Sequence, residues 1–140
     1  MNKYEVSTLI LRVVLGISFF VHGLDKFQGG VANTAMWFDS IGIPGFLAYV
    51  VASLELVGGI LLVVGLGTRV VAGLLSIIMV GAILKVKLTI GFLGNGQMAG
   101  YELDLAFLAM AVFLAINGSK ALSLDNVIFN KEDRDIHKVA

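Results

Sequence analysis

Phe46-Leu47-Ala48-Tyr49-Val50-Val51-Ala52-Ser53-Leu54-Glu55-Leu56-Val57-Gly58-Gly59-Ile60-Leu61-Leu62-Val63-Val64-Gly65-Leu66 reads as one membrane-spanning helix. A helix needs about 20 largely apolar residues to cross the hydrocarbon core. This run has one ionisable group near its middle, Glu55. Pro44-Gly45 supplies a natural start. A charge at that depth is costly, so it faces a bundle interior, a water-filled cavity or a partner. Gly58 and Gly59 follow three and four residues on and share the face of Glu55. Ala48, Ala52 and Gly65 extend that face, and small residues let a neighbouring helix approach closely.

Working outward, three more segments approach spanning length. They cover about residues 6–24, 70–84 and 103–116, giving with 46–66 an all-α, transmembrane four-helix bundle. Composition agrees: 58% of the 140 residues are hydrophobic, 14% are charged, and the mean hydropathy is +0.94. Such a balance lies outside the soluble range and makes the lipid bilayer the chain's solvent. The first span follows Lys3 but has no small-x-small cleavage pattern after it, so it is expected to be retained. Residues 1–129 are expected to form the four-span domain and 130–140 a charged, solvated tail.

Net charge is zero, so the chain carries no nucleic-acid footprint. It contains no cysteine, which removes thiol chemistry and Fe–S ligation. His22 and His137 are too few for a conventional metal site, so no metal is expected. Four spans place both termini on one side, with Lys3, Arg69, Lys120, Lys131, Arg134 and Lys138. Lys26, Lys85 and Lys87 lie on the other side, so the positive-inside rule puts the termini in the cytoplasm of a cell-membrane protein.

Two loops remain. Residues 28–44 contain Met36, Trp37, Phe38 and Ile41, which suit either a short interfacial helix capped by Asn33 or Thr34, or an aromatic belt. Residues 86–101 hold Gly91, Gly94, Gly96 and Gly100 and should turn. A faint repeat links Arg12-Val13-Val14-Leu15-Gly16 to Arg69-Val70-Val71-Ala72-Gly73, with a weaker echo between Glu55-Leu56 and Glu102-Leu103. Two similar hairpins about an axis along the membrane normal would explain it.

Helical rise puts Arg12 roughly 10 Å inside its end of the first span and Glu55 roughly 15 Å from the opposite end of the second. Arg12 could therefore pair with Glu55, or snorkel to lipid phosphate. His22 and Lys26 are four apart and share a face at the outer end of the first span. Glu102 opens the fourth span, where a carboxylate suits the helix dipole. Asp104 lies nearly opposite it, and the small face Glu102, Ala106, Ala109 favours Glu102 inward. An outward-facing cavity lined by His22, Glu55 and Glu102 follows, with Arg12, Lys26 and Arg69 as binding or anchoring cations. The competing reading is a set of satisfied ion pairs and interfacial anchors. Proton-carrying groups at membrane depth, near Phe19, Phe20 and Tyr49, suit a quinone or quinol head group. Without a thiol, metal or flavin motif, electrons would come from the quinone, a bound cofactor or a partner.

These residues resemble the DoxX family of small four-helix membrane proteins. The matching stretches are Arg12-x-x-x-Gly16, His22-Gly23-x-x-Lys26, Gly42-Ile43-Pro44, Glu55-x-x-Gly58-Gly59, Gly65-x-x-Thr68-Arg69, Gly100-Tyr101-Glu102 and Ser123-Leu124-Asp125. The resemblance implies a bundle in the cytoplasmic membrane and an oxidoreductase or oxidoreductase-subunit role, linked to quinone, catechol or thiol stress and to detoxification. The absence of cysteine sets direct sulfur chemistry aside. It also leaves two other roles open: a membrane scaffold or assembly factor for a soluble oxidoreductase partner, and a small exporter of quinone-like compounds. An oligomer is compatible with every one of these.

Overall fold

A computed structural model describes residues 1–130. The charged tail expected from residue 130 lies, apart from Asn130, outside them. Five helices account for most of the chain: α1 (Lys3–Gln28), α2 (Val31–Ser40), α3 (Phe46–Val64), α4 (Thr68–Ala82) and α5 (Glu102–Asn117). A π-helical turn, Ile83–Lys87, continues α4, and residues 124–130 are helical again. No strand occurs among the described residues, only one isolated bridge between Gly94 and Ala99.

Local chemistry sets the helix limits. Asn2 caps α1 through a reciprocal box with Glu5, each side chain accepting from the other's backbone N–H at 2.8 and 3.0 Å. The helix therefore runs from residue 3, well beyond the apolar stretch 6–24. Asp39 accepts the Gly45 N–H at 2.8 Å and fixes the entry to α3. The short helix expected in residues 28–44 forms as α2, but its N-cap is Gly30. Asn33 lies inside α2 and its amide donates back to the Gly29 carbonyl, so neither Asn33 nor Thr34 caps it.

α1, α3, α4 and α5 make a four-helix bundle, with α1 against α3 and α4 against α5 as the two main contacts. Its core is Leu15, Phe19, Leu62, Val71, Leu75, Met79 and Leu114 with Ala72 and Ala111. The α1–α3 crossing is close because Gly16 meets Gly59. A Cβ on Gly59 would fall 2.6 Å from the Gly16 carbonyl oxygen and 2.5 Å from the Phe20 nitrogen. Three helices are long and apolar enough to cross a membrane: α1, α3 and α4 with its π turn. α5 is shorter, at 16 residues or about 24 Å, and lies along α4. The bundle has two ends. The near end holds residue 3, the α3–α4 turn and residues 118–130; the far end holds α2 and the glycine-rich loop 88–101.

Candidate functional site

The far end carries the ionic cluster. Lys26 Nζ donates to Glu55 Oε2 at 2.7 Å, joining the last turn of α1 to the middle of α3. Glu55 is only 4% exposed. The pairing follows from the glycine face, because Gly23 sits on the Leu56 backbone and draws α1 onto α3 beside the carboxylate. His22, one turn before Lys26, is within electrostatic reach of Glu55. Its ring stands edge-on to Phe107 of α5, with 6.0 Å between ring centroids, and Phe107 also packs on the buried Phe19 at 5.4 Å.

A second ion pair lies beside the first. Lys87 Nζ is 2.9 Å from Asp104 Oδ2, and Asp104 is also within electrostatic reach of Glu55. Asp104 is 8% exposed, whereas Glu102 faces outward. This corrects the inward placement of Glu102. α5 is apolar almost all round, so Ala106 and Ala109 do not mark its buried side. The buried stripe instead runs through Asp104, Ala111 and Leu114, at seven- and three-residue spacing, with Phe107 on the same line. Glu55 in α3 thus has Asp104, not Glu102, as its counterpart in α5. Each is paired with a lysine from the far end of the preceding long helix.

Arg12 is not at this site. It points to the near end and is fully buried. Nη1 donates to the Ser119 carbonyl at 3.1 Å, to Ser119 Oγ at 3.3 Å and to the Ala121 carbonyl at 2.9 Å; Nη2 donates to the Leu122 carbonyl at 2.9 Å. It therefore neither pairs with Glu55 nor snorkels, because the segment after α5 folds over the guanidinium and gives acceptors to both Nη atoms, leaving only Nε without a hydrogen bond. Gly65, at φ +74°, leaves room for this: a Cβ there would lie 3.0 Å from Arg12 Cζ. Asp125 completes the closure, accepting from the Gly67 N–H at 3.0 and 2.9 Å and from the Thr68 N–H at 3.4 Å, at the start of α4. Arg69 is exposed, and its Nε donates to the Ala115 carbonyl at 3.1 Å in the last turn of α5. The repeated arginines thus have unlike surroundings.

Of the six residues singled out in the sequence, the structure brings together His22, Lys26 and Glu55, and places Arg12, Arg69 and Glu102 elsewhere. It adds Lys87 and Asp104. Among the described residues no group of three or more His, Asp or Glu side chains is placed to hold a metal ion. The cluster offers two ammonium donors, two carboxylate acceptors and one imidazole over an aromatic base. Such a set can bind a polar head group and exchange protons with it.

Comparison with known proteins gives a consistent picture. The DoxX family model matches residues 7–88. A Bacillus subtilis protein named "Putative oxidoreductase CatD" is 48% identical over 130 residues, which is 92% of each chain. A membrane protein of Mycobacterium tuberculosis is 36% identical over 129 residues, 85% of this chain and 79% of the relative. The Escherichia coli "Inner membrane protein YqjF" is 30% identical over 138 residues, 94% of this chain and 99% of the relative. No solved structure matches.

Proposed function

This chain belongs to the DoxX family of membrane proteins, and we propose that it is a membrane oxidoreductase or oxidoreductase subunit that binds a quinone- or catechol-like head group at its far-end cluster. The observation that carries this reading is the Lys26–Glu55 pair at 2.7 Å, its carboxylate buried, with His22 within electrostatic reach. A quinone and its quinol differ by two protons as well as two electrons, and this site holds proton-exchanging groups at membrane depth. Lys26 would donate to a ring carbonyl, Glu55 would accept from a ring hydroxyl, and the exposed His22 would exchange protons with them. Phe107, backed by the buried Phe19, would give the ring an apolar base. The chain has no thiol to carry electrons, so a soluble oxidoreductase partner or a bound cofactor would supply them. The name of the B. subtilis relative supports the oxidoreductase class. The arginine-held closure of the near end speaks against an exporter with a path through the bundle. The basic near end would face the cytoplasm.

The test is equilibrium binding of a short-chain menaquinone analogue to the protein in lipid nanodiscs. Glu55→Gln should weaken binding about tenfold, the loss expected for one charge-assisted hydrogen bond. Unchanged affinity in Glu55→Gln, Lys26→Gln and His22→Ala alike would sink the reading.

A further inference from the structure

The Lys87–Asp104 pair has features that packing alone does not explain. The first is the π turn. The buried stripe of α4 runs through Thr68, Val71, Ala72, Leu75 and Met79. Continued as an α-helix, Lys87 would lie roughly 100° round from that stripe. The turn Ile83–Lys87, closed by the Leu88 N–H on the Ile83 carbonyl at 2.8 Å, inserts about one residue and sets the following positions back by a similar angle. Lys87 is thereby turned inward to Asp104 while Lys85 stays exposed. The hydrogen-bond geometry of a π turn is poorer than that of an α-helix, and its product here is one aimed ammonium group.

The second feature is an acceptor held by its lysine without an aligned hydrogen bond. Asp104 Oδ2 is buried and within 2.9 Å of Lys87 Nζ, yet it accepts no aligned hydrogen bond. Buried carboxylate oxygens are normally saturated. The third is the neighbourhood. Asp104 is brought within electrostatic reach of Glu55, so two carboxylates repel each other, each held by its own lysine. Two partly buried ion pairs are a poor way to stabilise a bundle, since apolar side chains of like volume do as well or better. Phe107, one turn below Asp104, touches His22, one turn below Lys26, so one aromatic base runs under both pairs.

We propose that Lys87 and Asp104 are the second half of the far-end site, contacting the second oxygen of a ring ligand that carries two. This rests on the head-group reading above. Each half presents one ammonium donor and one carboxylate acceptor. A ring oxygen can therefore be met as a carbonyl by the lysine or as a hydroxyl by the carboxylate, and the net charge of the site is unchanged. Asp104 Oδ2 is the acceptor for the hydroxyl of the reduced ring.

The experiment compares 1,4-naphthalenediol with 1-naphthol, which has a single ring oxygen, on the full chain in nanodiscs under reducing conditions. Asp104→Asn should weaken the diol about tenfold and 1-naphthol less than about twofold, whereas Glu55→Gln should weaken both. The charge-balanced double variant Lys87→Gln/Asp104→Asn should show the same selectivity and guards against misfolding of the single variant. Equal effects of Asp104→Asn on both probes, or none on either, would overturn the assignment while Glu55→Gln still weakens binding. If neither probe saturates the unaltered protein, the head-group reading itself fails.

Discussion

The two ends of the bundle hold buried charge in opposite ways. At the near end Arg12 is surrounded by backbone carbonyls of Ser119, Ala121 and Leu122 and by the Ser119 hydroxyl. Those acceptors belong to the main chain and cannot rotate away, so the charge is locked and the segment after α5 is locked with it. At the far end the partners are flexible side chains. Lys26 and Lys87 are each about a quarter exposed. A charge satisfied by backbone fixes a fold; one satisfied by a movable side chain can exchange that partner for a ligand. On the proposed reading, stability belongs to one end and chemistry to the other.

Substitutions should separate the ends, beginning with the largest effect. Arg12→Leu leaves several carbonyls without donors and should cost about 3–5 kcal/mol of stability, the range for breaking a buried charged network. Arg12→Lys should recover little of it, since an ammonium lacks the planar fork. Denaturation of the detergent-solubilised protein, followed by circular dichroism, reads this out. Gly59→Val should cost about 1–3 kcal/mol by overpacking the α1–α3 crossing, because any side chain there meets the Phe20 backbone. Asp125→Ala removes the acceptor for Gly67 and Thr68 and should cost about 1 kcal/mol, as for other lost N-caps. The near-end variants Arg12→Leu and Asp125→Ala should leave ligand affinity per folded molecule unchanged, and a marked loss there would blur the division.

The sequence made parts of this legible and hid others for physical reasons. Glu55 stands out because a lone carboxylate in an apolar run needs a partner, and its glycine face says where the neighbouring helix lies. His22 and Lys26 follow from four-residue spacing on one face. Neither pairing with Glu55 nor snorkelling describes Arg12, because its acceptors are main-chain carbonyls more than a hundred residues away, and carbonyls leave no residue signature. The sequence does not distinguish Glu102 from Asp104, because α5 is apolar almost all round. Lys87 was hidden by the π turn, which breaks the periodicity used to assign faces. The meeting of Ser123-Leu124-Asp125 with Gly65-x-x-Thr68-Arg69 was visible only as two family motifs, yet they form one closure.

The smallest stability effect tests the central claim most directly. In Glu55→Gln the buried residue becomes neutral, and Lys26, at the end of α1, can extend to water. The affinity of Glu55→Gln for a short-chain menaquinone analogue, measured per folded molecule beside its denaturation midpoint, is the decisive measurement. The division of labour predicts binding about tenfold weaker with less than about 1 kcal/mol of lost stability. A loss of several kcal/mol with affinity per folded molecule intact would make Glu55 a structural ion-pair partner and contradict the account.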